Sequence, residues 1–251
     1  MKQVISILIV VLIGVLIFGG LYGSSREDVH FSAYGDISLS ERVSQSYIDK
    51  NVNGGSGDVE FGKSSNLESG SANYVTSIIV NYRSFDTLGE ITVLFISALG
   101  VSLLLAGNRK RRKTAFAPSF ILRTGARMVF GLMVVFGIYM FTHGHLTPGG
   151  GFPGGSIIAA AILLLYLADD TFRVKLSAVK ATEGVAGSLY VIAGLLAVAL
   201  GGYFLTNFLP TGTVGTLISG GIIPIVYILI GLKVGSEITG LIDNFVTKEV
   251  E

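Results

Sequence analysis

Residues 151–168 read GFPGGSIIAAAILLLYLA, and not one of these side chains carries a charge. An α-helix rises about 1.5 Å per residue, so this run covers most of a bilayer's hydrocarbon core of about 30 Å. Further apolar runs lie at residues 4–21, 91–106, 124–142, 184–206 and 215–235. The sequence therefore predicts an all-α, polytopic integral membrane protein with about six transmembrane helices and a polar outward-facing loop.

The composition agrees with a chain that is surrounded by a lipid bilayer. Of 251 residues, 50% are hydrophobic and only 14% are charged, against about 25% charged in soluble domains. The net charge of +1 gives no argument for a nucleic-acid partner. Because the chain has no Cys, disulfides, thiolate metal sites and thiol nucleophiles are excluded. We predict no catalytic site, no metal and no cofactor.

The longest polar segment lies between the first two apolar runs. Residues 23–73 are rich in Ser, Gly and Asn, and their hydrophobicity is too low to support a core of their own. We expect this segment to be extended, or ordered only against partners. The apolar stretch at 74–82 is predicted to form a short interfacial helix or strand.

The basic residues predict the orientation of the helices. Lys and Arg in short loops are retained on the cytoplasmic side, and the cluster RKRRK occupies residues 109–113. We expect this loop and both chain termini in the cytoplasm. Loops 22–86 and 143–155 are then expected on the outside.

Two arginines at the start of the third helix have no acidic neighbour along the chain. Arg123 and Arg127 stand one helical turn apart, and no Asp or Glu occurs between residues 91 and 168. Either both side chains snorkel to the cytoplasmic interface, or they pair with a carboxylate on another helix or subunit. Three acidic residues around the second cytoplasmic loop are interpreted as interfacial anchors or helix-end charges: Asp169, Asp170 and Glu183.

Three ionisable residues within or near apolar runs are candidates for an ion path, because a charge inside a bilayer is expensive. Glu90 has the alternative of closing a Ser/Thr-x-x-Glu capping box with Thr87. Lys233 and Glu237 lie one turn apart near the predicted end of the sixth helix, after Pro224, which is expected to kink it. They form either a neutralising pair or a proton relay.

His143 and His145 flank Gly144 at the outer end of the third helix. The usual imidazole pKa of about 6.5 would let both pass protons at physiological pH. The alternative is a polar loop that is hydrogen-bonded to a neighbour. A metal site is not expected, because this pair alone supplies two ligands where a catalytic zinc takes three, and the chain offers no Cys and only one other His, His30.

The stretch PGGGFPGG at 148–155 joins the third and fourth helices. It lacks the Gly-Lys-Ser/Thr ending of a phosphate loop, and its glycines predict a tight, re-entrant turn. Small residues four apart follow at 155 and 159 or at 156 and 160, a spacing that lets membrane helices pack closely. Ala197 and Gly201 repeat this spacing on the fifth helix.

Two motifs resemble known membrane subunits. HGHLTPGGGFPGGSIIAA (143–160) resembles the signature of the B subunit of Mrp-type multisubunit Na⁺/H⁺ antiporters, the MnhB domain family, over roughly residues 115–245. NYRSFDTLGEITVLFISALGV (81–101) is similar to the C-terminal part of the Mrp A subunit, which is a separate small subunit in energy-converting membrane-bound hydrogenase complexes. The chain thus looks like a fusion of two neighbouring subunits. The matched family positions are Asp86, Thr87, Gly89, Glu90, His143, Gly144, His145, Pro148, Gly149, Gly150, Gly151, Phe152, Gly154 and Gly155.

The resemblance and the hydropathy together divide the chain. The predicted parts are a transmembrane anchor (1–22), the polar outward loop (23–73), an Mrp A-like segment with one transmembrane helix (74–108), a basic cytoplasmic loop (109–123), an MnhB-like four-helix domain (124–245) and a tail (246–251).

The resemblance implies a non-catalytic subunit in a prokaryotic cell membrane. Its expected partners are the other membrane subunits of a Na⁺(cation)/H⁺ antiporter or of a membrane-bound hydrogenase or sulfane reductase complex, with Na⁺ and H⁺ as the transported ions. The alternatives are a purely structural scaffold subunit and an independent small channel or carrier. No twofold internal repeat typical of secondary transporters is visible in the sequence.

Overall fold

A computed structural model describes residues 8, 10–16, 18–19, 43–51, 59–105 and 118–246. In the first apolar run, residues 10–16 and 18–19 are helical, and the rest of the predicted anchor lies largely outside the described residues. The basic cluster 109–113 and the tail from residue 247 also lie outside them.

The described elements are all helical. They are α1 (Val43–Asn51), α2 (Tyr74–Thr76, which continues into a π-helical turn, Ser77–Tyr82), α3 (Ser84–Leu104), α4 (Phe120–Thr142), α5 (Gly151–Ala168), α6 (Leu176–Gly201) and α7 (Ile223–Val246). Within the described ranges, the five helices α3 to α7 are long and apolar enough to cross a membrane. The prediction of a polytopic helical membrane protein is confirmed.

Helix α7 lies at the centre of the bundle, because it contacts α3, α4, α5 and α6. Its buried apolar side chains recur every three or four residues, which places them on one stripe of the helix. These residues are Ile223, Val226, Ile230 and Val234. They pack with Ile91 of α3 and Tyr190 of α6 into the main core. The outer faces of α3, α4 and α6 stay exposed and apolar.

Part of the long polar segment is ordered by the loop between α6 and α7. The amide N–H of Gly62 donates to the carbonyl oxygen of Val214 at 2.7 Å, and the N–H of Val214 donates to the carbonyl oxygen of Ser64 at 3.0 Å. For residues 59–73, ordering therefore does not come only from partners. The chain itself supplies backbone partners there.

Helix α3 begins before position 87, so the capping-box interpretation of Thr87 and Glu90 is wrong. Arg83 occupies the N-cap position, and its guanidinium lies 2.6 Å from the carboxylate of Asp86. The hydroxyl of Thr87 donates to the carbonyl oxygen of Ile79 at 2.9 Å. Glu90 lies further along the helix, on an exposed face.

Helix α7 begins later and ends later than its apolar run predicts. Gly220 and Gly221 have φ angles of 82° and 62°, so the chain is still in a loop there. Pro224 falls in the first turn of α7, a position that proline suits, so the predicted kink is wrong. Lys233 and Glu237 consequently lie in the middle of the helix and not near its end.

Helix α6 also extends beyond its apolar run. It starts at Leu176, so Lys180 and Glu183 are helical residues. It ends at Gly201, because Gly202 adopts a left-handed conformation with φ of 87°. The polar start of α6 stays largely exposed: Ser177, Lys180 and Thr182 are exposed, and Glu183 is half-buried.

Candidate functional site

The His–Gly–His loop after α4 is covered by the segment that leads into α2. The side-chain amide of Asn73 donates to the carbonyl oxygens of Gly144 and Thr147, both at 3.0 Å. The hydroxyl of Thr76 donates to the carbonyl oxygen of Gly144 at 2.7 Å and lies 2.8 Å from the hydroxyl of Tyr227 in α7. Segment 69–77 and α7 thus hold the loop from two sides.

The two histidines lie in different environments. His145 is fully buried, and neither ring nitrogen has a hydrogen-bond partner within the described part of the chain. Burial lowers the pKa of His145 below its usual 6.5, although the backbone of Thr216 favours the charged form. His143 is partly exposed and stacks on Tyr139 with ring centroids 4.4 Å apart. The structure therefore does not place the two rings in one shared site.

The glycine-rich stretch brings three helices close together. The N–H of Gly150, whose φ is 143°, donates to the carbonyl oxygen of Met140 at the end of α4. A Cβ on Gly154 would lie 2.6 Å from the carbonyl oxygen of Gly137, and one on Gly155 would lie 2.6 Å from that of Gly231. Gly154 thus faces α4, whereas Gly155 faces α7.

The remaining residues of this stretch differ in burial. Gly149 lies against the end of α4, Gly151 lies against Ile230 of α7, and Phe152 is packed on the main core. Pro148 is exposed. Of the two predicted small-residue pairs, 155 and 159 are buried, whereas 156 and 160 are exposed.

A charge cluster joins the start of α4 to the end of α5. Nη2 of Arg127 donates to Oδ2 of Asp169 at 2.9 Å, and Nε of Arg123 lies 3.6 Å from the same oxygen. The carboxylate also accepts hydrogen bonds from the backbone and the hydroxyl of Thr171. The arginines therefore have an internal acidic partner, which the sequence alone left open.

A second ion pair lies inside the membrane-spanning part of α7. Nζ of Lys233 donates to Oε2 of Glu237 at 2.8 Å, and the side chains are only 10% and 2% exposed. The ammonium group also lies 5.1 Å from the centre of the Phe95 ring in α3. Oε1 of Glu237 has no hydrogen-bond partner among the described residues. The pair neutralises its own charge, but it leaves one carboxylate oxygen unsatisfied.

Two clefts open beside this pair between α3, α6 and α7. The Glu237 cleft has a volume of about 400 Å³, and its polar lining residues are Ser102, Lys180, Glu183, Glu237 and Asn244. The Lys233 cleft has a volume of about 490 Å³, and its polar lining residues are Thr92, Glu183, Ser188 and Lys233. Each member of the ion pair thus lines a different cleft, and Glu183 lines both.

The structure does not gather the sequence candidates into one site. Lys233 and Glu237 form one group, Arg127 joins another group at Asp169, and the histidines belong to a third. Asp86 and Glu90 remain on the exposed face of α3. Within the described ranges, no group of three or more His, Asp or Glu side chains could hold a metal ion.

Sequence reasoning missed several residues that position these groups. Asn73 is one of them, although an Asn directly before an apolar stretch is a recognised helix N-cap signal. Its Oδ1 accepts from the N–H of Val75 at 3.1 Å. Glu183 and Phe95 gave no such signal, because only the packing of α3 and α6 on α7 brings them to the ion pair.

Comparison with known proteins places this architecture in a family. The family described as "Domain related to MnhB subunit of Na+/H+ antiporter" matches residues 121–240, and the family described as the E subunit of MBH matches residues 38–120. A chain in the structure of the membrane-bound sulfane sulfur reductase, an archaeal respiratory membrane complex, is 42% identical. The alignment covers 99% of both chains with a TM-score of 0.73. The chain belongs to the family of this reductase subunit and carries an MnhB-related domain at residues 121–240.

Curated relatives of this MnhB-related chain agree with the assignment. An uncharacterised protein of Methanocaldococcus jannaschii is 34% identical in an alignment 196 positions long, which covers 64% of this chain and 72% of that protein. The B subunit of a Na⁺/H⁺ antiporter from Bacillus subtilis is 38% identical over 90 residues, which are 35% of this chain and 63% of that protein. The MnhB-related chain is a membrane subunit of the kind found in Mrp-type antiporters and membrane-bound hydrogenase-like complexes.

Proposed function

We propose that the chain is a non-catalytic subunit of a Na⁺(cation)/H⁺ antiport module. The module is either a stand-alone Mrp-type antiporter or the ion-translocating arm of a membrane-bound hydrogenase-like respiratory complex. The observation that carries the proposal is the end-to-end similarity to a subunit of the archaeal sulfane sulfur reductase, at 42% identity over 99% of both chains.

The outward-facing surface of the bundle suits both lipid and neighbouring membrane subunits. Phe120, Met128 and Leu132 of α4 are all at least 70% exposed, and exposed apolar side chains also cover α3 and α6. Lipid satisfies such a surface as well as a protein neighbour does. Small, outward-facing Ser156 and Ala160 on α5 would let a neighbouring helix approach closely.

The orientation belongs to the same proposal. Because basic loops stay inside, the cluster 109–113 puts both termini in the cytoplasm of a prokaryotic cell and loops 22–86 and 143–155 outside its membrane. The Arg123, Arg127 and Asp169 cluster then lies on the cytoplasmic side, and the His–Gly–His loop lies on the outer side. A cysteine introduced at position 111 should react with an impermeant maleimide only in inverted vesicles, whereas one at position 63 should react only in right-side-out vesicles.

A second candidate function is an ion path through this chain itself. The buried Lys233–Glu237 pair and the clefts beside it favour that candidate, since an ionisable group at membrane depth is expensive to keep. A scaffold subunit without a path would need neither charge.

Purification of the tagged chain from its host tests the main proposal. Mild detergent and native electrophoresis should recover it only together with several other membrane subunits, and vesicles holding that assembly should exchange Na⁺ for H⁺. A chain that is recovered alone and transports ions by itself would contradict the proposal and identify an independent carrier. An assembly that does not exchange cations for protons would leave only the scaffold function.

A further inference from the structure

The Lys233–Glu237 pair separates two clefts and faces both. Glu237 lines one cleft together with Ser102 of α3 and Lys180 of α6. Lys233 lines the other together with Thr92 of α3 and Ser188 of α6. Because Nζ and Oε2 are only 2.8 Å apart, the pair is a hydrogen-bonded bridge from one cleft to the other.

Phe95 and Glu183 each line both clefts. The Phe95 ring lies 5.1 Å from Nζ of Lys233 and offers no hydrogen-bonding group in line with a water chain, although its face does attract a cation. The polar groups that a proton meets between the clefts are therefore the hydrogen-bonded Lys233–Glu237 pair and the carboxylate of Glu183.

We propose that Lys233 and Glu237 form a proton relay that connects the Glu237 cleft to the Lys233 cleft. The proposal rests on the proposed function, because it names the part of this subunit that would handle the proton of the antiport module. Water in the two clefts supplies and removes the proton, with Glu237 at one end of the relay and Lys233 at the other.

The proton and charge balance of the relay closes without a further reactant. Oε1 of Glu237 is buried at rest, so a side-chain movement toward the Glu237 cleft brings it to water, where it binds a proton and the carboxylate becomes a neutral carboxylic acid. The ammonium of Lys233 loses its counter-charge and releases one proton to water in the Lys233 cleft. Rotation of the carboxyl group then presents its proton to Nζ, which restores the carboxylate and the ammonium. One proton has crossed, and both residues have returned to their starting states.

The charges around the pair fit this exchange. On α6, Glu183 borders both clefts and Lys180 borders the Glu237 cleft, so one acid and one base face the pair. On α3, the cleft-lining residues are uncharged. On α7 itself, the carboxylate of Asp243 accepts a hydrogen bond from Tyr166 of α5 at 2.6 Å and lines neither cleft. The relay is therefore close to neutral at rest.

Stability alone gives a weak reason for this pair. Replacing a buried ion pair with apolar side chains of similar volume is often neutral or stabilising, whereas removing one partner is strongly destabilising. The unpartnered Oε1 of Glu237 adds a further cost to the folded state. A relay explains that oxygen, because it is the atom that receives the proton.

The decisive variant replaces both charges together, Lys233→Met with Glu237→Met, in the assembled complex. No uncompensated buried charge remains, so we expect normal assembly and a fall of about tenfold or more in the rate of cation/proton exchange in vesicles. Exchange at the wild-type rate in an assembled double variant would overturn the relay. The matched control is Asp243→Asn, which alters a buried carboxylate of the same helix outside both clefts and should keep wild-type exchange.

A second measurement uses the wild-type complex and does not depend on how a variant folds. A hydrophobic carbodiimide reacts with carboxyl groups that take up protons inside a membrane. Mass spectrometry should find Glu237 modified in proportion to the loss of exchange, with Asp243 unmodified. An unmodified Glu237 in fully inhibited complex would overturn the relay. A wild-type complex with no cation/proton exchange at all would instead contradict the proposed function.

Discussion

Gly155 of α5 lies against Gly231 of α7 so closely that a Cβ on Gly155 would stand 2.6 Å from the carbonyl oxygen of Gly231 and 2.8 Å from the backbone nitrogen of Gly235. Backbone atoms cannot move aside as a flexible side chain can, so the two helices would have to separate. This contact fixes the distance between α5 and α7.

Replacing Gly155 with Ala or Val should therefore destabilise the bundle. Overpacking of this kind costs about 1–3 kcal/mol, and the Val variant should lose more than the Ala variant. Thermal unfolding of the purified complex in detergent measures the effect.

The control for the two Gly155 variants is Gly131→Ala on α4, where nothing lies within 4 Å of an added Cβ. That change should leave the melting temperature unchanged or raise it slightly, since Ala favours a helix over Gly. Equal melting temperatures for Gly155→Val and Gly131→Ala would contradict the close packing of α5 on α7.

The link between α4 and α5 should depend on one carboxylate. Hydrogen bonds from Thr171, followed by the charges of Arg127 and Arg123, lower the pKa of Asp169 from 3.8 to about 2. Because the folded pKa lies below the unfolded one, Asp169 stabilises the fold fully above about pH 5 and loses this effect as the pH falls toward 2. Asp169→Asn should lower the melting temperature by a similar amount at pH 6 and at pH 8.

The control is an exposed carboxylate in the variant Glu60→Gln. Glu60 pairs with Lys63, but both side chains are more than half exposed, and exposed ion pairs contribute little. The Gln variant should therefore melt close to the wild type at both pH values. If both variants lost the same stability, the specific pairing of Asp169 with the two arginines would not be what holds α4 to α5.

The transmembrane helices follow from the sequence because a bilayer leaves a chain few choices. A backbone inside hydrocarbon must satisfy its own hydrogen bonds, so an apolar run long enough to cross the bilayer becomes a helix. The run at 151–168 coincides with α5, and the run at 124–142 lies within α4. For these segments, hydropathy alone locates the helix.

The polar ends of α6 and α7 could not be located in this way. Residues 176–183 and 236–246 contain charged and hydroxyl side chains, which hydropathy assigns to loops. In the folded chain, Thr239, Asp243 and Asn244 are buried by neighbouring helices. Tertiary contacts, such as the hydrogen bond from Asn244 to Ser102 at 2.6 Å, stabilise the polar end of α7.

The candidate sites also differ in how far the sequence alone predicts them. The Lys233–Glu237 pair follows from helical spacing, because residues four apart share a face. To predict the pairing of Arg127 with Asp169, one must also assume that α4 and α5 meet at one face of the membrane. The burial of His145 depends on a long-range contact with the loop around Gly220, and no local pattern predicts that contact.

The segment before α2 should stabilise the His–Gly–His loop through one side chain. Asn73 bonds Gly144 and Thr147 through its amide nitrogen and caps α2 through its oxygen. Asn73→Ala should cost about 1–2 kcal/mol, typical for the loss of a helix cap. Hydrogen–deuterium exchange should become faster in residues 143–150.

An exposed pair in the same polar segment provides the control. Lys63 and Glu60 lie 2.6 Å apart, but both side chains are more than half exposed. Exposed ion pairs contribute little, so Lys63→Ala should leave exchange at 143–150 unchanged. Slow exchange in Asn73→Ala would mean that Ser71, Thr76 and Tyr227 hold the loop without Asn73.

The buried His145 should make the outer cap sensitive to acid. The pKa of His145 is lowered in the folded state, chiefly because the ring is buried. The backbone of Thr216 opposes this effect, and the charge of His143 adds to it. Protons therefore bind the unfolded state more readily, so stability is complete above about pH 7 and falls as the pH drops below the unfolded value of 6.5. We expect hydrogen–deuterium exchange in residues 69–77 and 213–221 to accelerate between pH 8 and pH 5.5.

His145→Phe keeps a ring of similar size without a titrating nitrogen and should abolish this acceleration, whereas His143→Phe should retain it. Acid sensitivity that persisted in His145→Phe would place the responsible group elsewhere in the cap.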